Sequence, residues 1–335
     1  TVAVRFVNLS NTTITTADFG YQLGAGAPVT ESLTGLSIAS GQTYIATFTT
    51  PLNIPSTGNY SMKAWANNAN GSGSVTPAND TVCRSFTVYC SAPLNGNYTI
   101  GGTPGPTNFA NFNLADSNLI TCGVAGPVIF KVSPGTYTGA IDLPAITGAS
   151  ATNTITFEGA SSSNTIITAT TSGAAPAVVR LNGCSYVTFR NFTIRTTDGT
   201  NGWAVHFFNG LNNRVNNCIL DIAGPGATAT GSNLAGVVIN GSYTSITGSN
   251  STGNGHIVDS STFNAGYYNI YTTAGSAVTY SFLYNTLNNA YQYGGYFNSS
   301  HTIKFNYNTV NLRPTFTGNY CLRYFNSNAP GTHEI

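Results

Sequence analysis

The stretch that decides the fold is VVRLNGCSYVTFRNFTI, residues 178–194. It holds three short runs of β-forming residues, which are separated by an Asn-Gly turn and by a second bend. The stretch recurs downstream, and five copies place an asparagine before Gly or Ser at the first turn: Asn182, Asn209, Asn240, Asn298 and Asn326. Short β segments that repeat along the chain predict a solenoid.

A pair of apolar residues five positions apart also recurs in these copies. The pairs are Phe189/Ile194, Val215/Leu220, Val258/Phe263, Phe282/Leu287 and Phe305/Val310, so that successive pairs lie 26, 43, 24 and 23 residues apart. The longest interval contains a Gly-, Ser- and Asn-rich insert around residues 248–255. No copy has an apolar pattern of helical period. We therefore predict a parallel β-helix, in which equivalent side chains stack at the strand spacing of about 4.8 Å.

One column of this stack is predicted to lie just before the turn. Its members are Leu181, Phe208, Ile239, Thr273, Phe297 and Phe325. The asparagines that follow them suit a tight bend, and their amides can bond one another along the axis. This pattern resembles the asparagine ladder of right-handed parallel β-helix proteins. The resemblance implies that fold for residues 126–335.

The composition limits the classes of partner. Only 6% of the residues are charged and the net charge is +1, which argues against nucleic acid or an acidic membrane as a partner. A surface of Ser, Thr, Asn, Gly and Tyr suits extracellular structural proteins and glycan binders. No apolar run is long enough to cross a bilayer, so we predict no membrane span. The sequence begins in a strand pattern without a signal peptide, and we expect it to be part of a longer chain.

Residues 1–90 alternate apolar and polar side chains in short runs, which predicts an antiparallel β-sandwich. The segments Val4–Asn8, Pro55–Tyr60 and Asn79–Val82 resemble CARDB-like and fibronectin-III-like modules of bacterial surface proteins. The resemblance implies an immunoglobulin-like sandwich that acts as a spacer or adhesion unit. Thr81 lies in an Asp-Thr-Val pattern that matches a short O-glycosylation pattern of secreted Bacteroidota proteins; an ordinary turn is the alternative.

Residues 91–125 are predicted to link the two domains. Apolar residues near helical spacing indicate a short amphipathic helix over residues 108–120, which would cap the first coil. The segments Tyr98–Gly102, Cys122–Val128 and Pro134–Thr138 resemble secreted surface proteins of gliding bacteria that use the type IX secretion system. That resemblance implies an extracellular or cell-surface location.

The six cysteines have no metal-ligand spacing, so we expect neither a metal nor another cofactor. An even number of cysteines in a secreted chain allows disulfides. We expect Cys90 to pair with Cys122, and Cys184, Cys218 and Cys321 to be small buried thiols.

Aromatic residues are dense in the loops that follow the third strand of each copy. The candidates for a glycan-binding face are Trp203, Tyr267, Tyr268, Tyr291, Tyr293, Tyr320 and Arg313. Aromatic rings can stack on sugar rings, while amides and hydroxyls bond sugar hydroxyls. The alternative is that these tyrosines cover the wall of the solenoid with their hydroxyls in water.

Catalysis is the main alternative to a structural or adhesive role, because many right-handed β-helices are polysaccharide lyases or hydrolases. Such chemistry needs carboxylates that converge on one bond. The acids of the solenoid occupy different positions in the repeat: Asp142, Glu158, Asp198, Asp221 and Asp259. We therefore expect a non-catalytic adhesin or fibre subunit, with a polysaccharide lyase or glycoside hydrolase as the alternative. The last copy has no evident cap, which predicts end-to-end self-association or a continuing chain.

Overall fold

The computed structural model describes residues 2–52, 58–73, 80–88, 90, 92–103, 105, 107–275, 278–298, 302–314 and 318–325. The chain divides into two compact units, Thr1–Ser91 and Ala92–Ile335. We describe each unit by itself.

The first unit is an antiparallel β structure in two sheets. Its strands are β1 (Ala3–Val7), β2 (Ile14–Leu23), β3 (Val29–Ile38), β4 (Thr43–Thr47), β5 (Gly58–Asn67) and β6 (Thr81–Val88), with a short 3-10 helix at Ala69–Gly71. Strands β1 and β4 form one sheet, and the other has the order β3-β2-β5-β6. The alternating apolar residues of both sheets share one core, which includes Val4, Phe19, Tyr21 and Phe48. The immunoglobulin-like topology stays a prediction.

The second unit contains one helix and twenty-three short strands among the described residues. They are β7 (Leu94–Ile100), β8 (Asn108–Phe109), α1 (Phe112–Cys122), β9 (Val124–Val132), β10 (Gly135–Thr138), β11 (Ile141–Leu143), β12 (Ile155–Gly159), β13 (Thr165–Ala169), β14 (Ala177–Asn182), β15 (Val187–Arg190), β16 (Thr193–Thr196), β17 (Asn201–Phe208), β18 (Arg214–Asn216), β19 (Ile219–Asp221), β20 (Asn233–Ile239), β21 (His256–Asp259), β22 (Thr262–Asn264), β23 (Tyr268–Thr273), β24 (Thr279–Leu283), β25 (Thr286–Asn288), β26 (Tyr293–Asn298), β27 (Thr302–Asn306), β28 (Thr309–Asn311) and β29 (Tyr320–Phe325).

These strands form three parallel sheets that run the length of the unit. Sheet I has the order β27-β24-β21-β18-β15-β12-β9-β7-β8, sheet II the order β10-β13-β16-β19-β22-β25-β28, and sheet III the order β11-β14-β17-β20-β23-β26-β29. Each coil contributes one strand to each sheet in turn, beginning with β9, β10 and β11. Seven such coils in the described residues make a parallel β-helix, which confirms the predicted solenoid.

The recurring apolar pairs stack as the sequence predicts. Phe189 is in register with Val215, which continues to Val258, Phe282 and Phe305 in sheet I. Ile194 begins the matching column of sheet II, which continues through Leu220, Phe263, Leu287 and Val310. Both columns lie in the main apolar core, where all members except the partly buried Val310 are inaccessible or nearly so.

The predicted asparagine ladder is wrong in its register. Leu181 pairs with Phe207 instead of Phe208, so Asn182 lies opposite Phe208. The inward column consists of Leu181, Phe207, Ile239, Thr272, Phe297 and Tyr324. The sequence does not tell which of the adjacent Phe207 and Phe208 points inward, because both are equally apolar. A wrong choice shifts the register by one residue and places each side chain on the opposite face of the strand.

The predicted ladder members therefore have other partners. Asn182 accepts a hydrogen bond from the Tyr243 hydroxyl at 2.7 Å, and Asn209 accepts one from the Thr252 amide at 2.9 Å. Asn240 is buried and donates to the carbonyl oxygens of Ser245 and Ile246 within its own loop. Asn298 is half-buried at the end of β26. Asn326 and the predicted uncapped end after it lie outside the described residues.

A polar ladder does form, at the corner between sheets I and II. Its members are Cys218, Ser261, Asn285 and Asn308, one from each of four successive coils. The Asn285 side chain accepts from the Ser261 amide at 2.9 Å and donates to the Val258 carbonyl oxygen at 2.9 Å. Asn308 in turn accepts from the amide and the side chain of Asn285. These bonds satisfy backbone groups that the corner leaves without a sheet partner.

Asn285→Ala should therefore lower the free energy of unfolding by about 2 kcal/mol, because it leaves a buried amide and a buried carbonyl without partners. Asn288→Ala is the control, since Asn288 lies on the outer side of β25. Urea denaturation of both variants measures the difference. Equal losses in the two variants would contradict the structural role of the ladder.

Helix α1 covers the first coil. Asn111 caps its N-terminus by accepting from the Leu114 amide, and Phe112, Ala115, Asp116 and Leu119 are its buried residues. The Phe112 ring packs against Tyr137, Phe157 and Phe192 at centroid distances of 5.3–6.2 Å. The predicted helix thus exists but begins four residues later, because Asn108 and Phe109 form a short strand instead. No helix in the described part of the chain has both the length and the apolar character of a membrane span.

Burial in this cap changes the chemistry of one carboxyl. Asp116 Oδ1 has no hydrogen-bond partner, and burial raises the pKa of Asp116 to about 7. The carboxyl is therefore protonated in weakly acidic solution, where an exposed aspartate is ionised.

The cysteines differ in their state. Cys90 and Cys122 are both disulfide-bonded, which is the state that the predicted pair requires. Cys184 and Cys218 are buried free thiols, and burial raises the pKa of Cys218 to about 12. Cys321 is a free thiol but is exposed, so the expectation of burial is wrong for this residue.

Candidate functional site

The outer face of sheet III carries a dense group of tyrosines in the last three coils. We call this group the tyrosine face, and its members are Tyr268, Tyr271, Tyr293, Tyr296 and Tyr320. Tyr268, Tyr293 and Tyr320 occupy the same strand position in β23, β26 and β29. Tyr271 and Tyr296 form a second column beside them, which Arg323 continues in β29.

The rings stack along each column. Tyr268 and Tyr293 are 5.3 Å apart and nearly parallel, and Tyr293 and Tyr320 are 5.5 Å apart. Tyr271 and Tyr296 stack at 5.2 Å. Rings of the two columns meet edge to face at about the same distances, as in the 5.0 Å contact between Tyr293 and Tyr296. The result is an aromatic surface with a repeat of one coil.

The face is graded from buried to exposed. Tyr268, Tyr271 and Tyr293 are at most 8% exposed, whereas Tyr296 is half-buried and Tyr320 is 48% exposed. Burial raises the pKa of Tyr268 and of Tyr296 above the ordinary phenol value. The hydroxyls therefore stay protonated near neutral pH and can donate hydrogen bonds.

Arg323 supplies the positive charge of this surface. Its guanidinium lies 5.5–5.8 Å from the ring centres of Tyr293, Tyr296, Tyr320 and Phe325. It also donates to the Tyr293 hydroxyl at 2.9 Å, and this hydrogen bond raises the pKa of Arg323. A guanidinium held among rings keeps several donors pointing in fixed directions.

The margin of the tyrosine face is made by the loops before β23, β26 and β29. Tyr267 contacts Tyr268 at 4.8 Å and Tyr291 at 5.7 Å. Arg313 lies over the Tyr291 ring, but it is 8% exposed and its donors go to the carbonyl oxygens of Thr228, Ala229 and Asn289. Arg313 thus clamps two loops instead of presenting its charge to a ligand.

Trp203 lies in the same column of sheet III as Tyr268, two coils before it, and is fully buried. Its Nε1 donates to Asn233 Oδ1 at 3.1 Å. Trp203, Val238 and Tyr271 belong to one apolar cluster with Ile246, which comes from the long insert after β20. The insert therefore covers this part of sheet III. The structure brings the predicted tyrosines together but leaves Trp203 inaccessible.

The residues that sequence reasoning missed are Tyr271, Tyr296 and Arg323. A sequence pattern for Tyr271 and Tyr296 was present, because each is the second tyrosine of a Tyr-x-x-Tyr segment (Tyr268–Tyr271 and Tyr293–Tyr296). Strict alternation would place residues three apart on opposite faces of a strand. The pairing of β23 with β26 leaves out Asn269 and Gly294, however, and the tyrosines on either side of this interruption pack in one apolar cluster.

A polar network occupies the first coils of the same face. Arg180 Nη1 lies 3.3 Å from Asp142 Oδ2, and Arg180 Nε donates to His206 Nδ1 at 3.2 Å. His206 Nε2 contacts Asn240 Oδ1 at 3.0 Å, so the proton of the neutral ring lies on Nε2. Burial and the nearby Arg180 lower the pKa of His206 to about 3. Tyr243 of the insert covers Arg180 at 4.6 Å.

The other solenoid acids have partners of their own. The ion pairs are Glu158–Arg190, Asp221–Arg195 and Asp259–Arg214, with N–O distances of 2.7–3.0 Å. Asp198 accepts from the amides of Thr200 and Asn201. Within the described ranges, no three His, Cys, Asp or Glu side chains group closely enough to hold a metal ion. Glu158 and Asp259 share one column of sheet I, so the prediction that the acids occupy different positions in the repeat is wrong for this pair, but the two lie three coils apart.

The first unit contains a cavity of about 720 Å³. Phe6, Asn8, Phe19 and Tyr44 are among its lining residues, and Thr81 lies at its edge as the exposed first residue of β6. Glycosylation of Thr81 stays a prediction.

No protein-family model and no curated protein matches this chain. Among solved structures, it is similar to a pectin methylesterase in complex with hexasaccharide VII, with 11% identity over 69% of this chain and 71% of that one and a TM-score of 0.40. It is also similar to the Agl-KA catalytic domain, with 15% identity over 98% of this chain and a TM-score of 0.32. This chain spans 65% of the length of that domain.

These comparisons correct one prediction. The expectation that the chain is not an enzyme is corrected: both similar structures are of catalytic proteins, so a non-catalytic role has no support among them. At TM-scores of 0.40 and 0.32 the likeness carries no argument about what this chain does. We therefore build the functional argument on the residues of this chain.

Proposed function

We propose that this protein is a carbohydrate-active β-helix that binds a polysaccharide along the tyrosine face of sheet III. The observation that carries the proposal is a continuous stack with rings 5.2–5.5 Å apart, in which the buried Tyr268, Tyr271 and Tyr293 support the partly exposed Tyr296 and Tyr320. A surface that repeats at a constant spacing fits a ligand that also repeats, and a polysaccharide is such a ligand.

The chemistry of the face suits sugar. Tyrosine offers an apolar ring and a polar hydroxyl at low entropic cost, since it has few rotatable bonds. Arg323 adds fixed donors among the half-buried Tyr296 and the exposed Tyr320 and Phe325. Sugar C–H groups can pack on the rings, while sugar hydroxyls bond the phenols and the guanidinium.

The test is native gel electrophoresis in gels that contain neutral galactomannan, neutral xyloglucan, pectin or alginate. A variant with Tyr296→Ala and Tyr320→Ala should lose affinity by about tenfold, equivalent to about 1.4 kcal/mol, for the polymer that retards the wild-type protein. Tyr320 is 48% exposed, whereas Tyr296 packs on Tyr271 and Tyr293, so the melting temperature should fall by a few degrees without loss of the fold.

Tyr186→Asn is the matched control, because Tyr186 is a partly exposed tyrosine just before β15 in sheet I. It should keep wild-type affinity. If none of the four polymers retards the wild-type protein, or if the double variant migrates like the wild type, the tyrosine face is not a polysaccharide site.

Processing of the bound polymer is the second candidate function. The observation that favours it is Asp142, a carboxylate on the same face beside Arg180. Asp142 occupies the strand position that Tyr271 and Tyr296 occupy in later coils. A carboxylate can act as a base or nucleophile in carbohydrate chemistry. To test this second function, the protein is incubated with the polymer that it binds. Reducing ends, unsaturated products or released ester groups would show processing, and an unchanged polymer would contradict it.

We also propose that the protein is extracellular or lies at the cell surface. The disulfide-bonded cysteines support an oxidising compartment, as the extracellular or cell-surface expectation requires. Secretion by the type IX route, the right hand of the coil and the immunoglobulin-like spacer role of residues 1–90 stay predictions. So does end-to-end self-association, which sedimentation at rising protein concentration would test.

A further inference from the structure

Two exposed tyrosines form a ridge at the corner between sheets I and II. Tyr284 is 60% exposed and Tyr307 is 76% exposed, and they occupy equivalent positions in successive coils. Their rings are 4.9 Å apart and nearly parallel, with an interplanar angle of 6°. The ridge therefore presents ring surface to solvent along the direction of the solenoid axis.

The backbone at this corner does not favour tyrosine. Tyr284 and Tyr307 have φ values of +57° and +60°, in the left-handed region where a bulky side chain is strained. The equivalent corner positions of earlier coils are Asn191, Asn217 and Ser260, which have the same conformation. Since the rings are exposed, burial does not compensate the strain. Such strain can occur at functional positions, and here it coincides with an exposed, stacked pair of rings.

An array of hydroxyls and amides lies beside the ridge on the outer face of sheet II. Its members are Thr262, Thr286 and Thr309 in one column and Asn264, Asn288 and Asn311 in the next. Asn311 donates to Asn288 Oδ1 at 2.9 Å, so the amides are aligned along the column. Strand geometry sets the array at about 4.8 Å between coils and about 6.6 Å between columns.

The array has no ionisable side chain over these three coils. In the two preceding coils the asparagine column continues into Asp221 and Arg195, which neutralise each other at 2.7 Å. An uncharged surface that offers regularly spaced donors and acceptors favours an uncharged ligand with many hydroxyls. The adjacent ring ridge favours one that also has apolar faces.

We propose that the ridge of Tyr284 and Tyr307, together with the threonine and asparagine columns, is a second carbohydrate-binding face, and that its ligand is a neutral polysaccharide. The chain of the ligand lies along the columns, with its sugar C–H faces against the rings and its hydroxyls on Thr and Asn. This face belongs to sheet II and does not depend on the tyrosine face of sheet III.

The test is a depletion assay with three insoluble neutral polymers: cellulose, chitin and β-1,3-glucan. A variant with Tyr284→Asn and Tyr307→Asn removes both rings and keeps residues that tolerate the left-handed backbone. Its apparent dissociation constant should rise by about tenfold or more for the polymer that the wild-type protein binds. Its melting temperature should stay the same or increase. Tyr284→Phe with Tyr307→Phe keeps the rings and should retain most of the binding.

Tyr186→Asn is again the matched control, because Tyr186 has a φ of +60° at another corner of the solenoid. It should bind like the wild type. Failure of the wild-type protein to bind any of the three polymers overturns the proposal, as does wild-type binding by the double Asn variant. If only the variant with Tyr296→Ala and Tyr320→Ala loses binding, the tyrosine face binds the polymer and the proposal of a second face is wrong. If only the variant with Tyr284→Asn and Tyr307→Asn loses binding, the second face alone is supported.

Discussion

Replacement of Phe157 by alanine should lower the free energy of unfolding of the β-helix by about 3–5 kcal/mol. Phe157 is fully buried, and its ring stacks between Phe130 at 4.8 Å and Phe189 at 4.7 Å. It also contacts Phe112 of the capping helix at 5.9 Å. The coils above and below are fixed by hydrogen-bonded strands, so they cannot close the cavity that the missing ring leaves.

Urea denaturation followed by near-ultraviolet circular dichroism measures this loss. Phe157→Leu should cost less, because leucine fills part of the volume. Tyr307→Ala removes an exposed ring from the same β-helix, and its effect should stay within about 0.5 kcal/mol. A loss below about 1 kcal/mol for Phe157→Ala would show that the column of rings is not packed as described.

A rise in pH from 4 to 8 should destabilise the β-helix through Asp116, by up to about 4 kcal/mol. Burial raises the folded-state pKa of this carboxyl from 3.8 to about 7. Below pH 4 the carboxyl is protonated in both states and costs nothing. Between pH 4 and pH 7 the unfolded chain releases the proton while the folded chain keeps it, so stability falls. Above pH 7 the loss is complete.

Asp116→Asn removes this titration and should make the variant more stable than the wild-type protein at pH 8. Asn113→Ala, at an exposed position of the same helix, should leave the pH dependence unchanged. Denaturation curves at pH 4, 6 and 8 compare the three proteins. The same slope of stability against pH in the wild type and in Asp116→Asn would refute a buried, protonated carboxyl in the cap.

The fold could largely be read from the sequence because its strongest signal is local and repeated. The pairs that begin with Phe189/Ile194 specify two inward columns, and both form in the predicted register. The register at the turn before sheet I was harder to predict, since Phe207 and Phe208 both suit an inward position. The ladder at Ser261 and Asn285 was not predictable as one series, because its members differ in type from coil to coil.

The candidate site was predictable only in part. The clustering of Tyr268, Tyr293 and Tyr320 follows from their equal positions in successive repeats. The burial of Trp203 does not follow, because Ile246 reaches it from an insert with no repeat pattern. The role of Arg313 depends on carbonyl oxygens 85 residues away in sequence, which no local pattern can indicate.

Hydroxyl-radical footprinting in the presence of the bound polysaccharide measures directly whether the tyrosine face is covered. The expected result is reduced oxidation of Tyr296 and Tyr320, with no change at Tyr186. Unchanged oxidation of Tyr296 and Tyr320 at saturating polysaccharide would contradict the claim that sheet III holds the ligand.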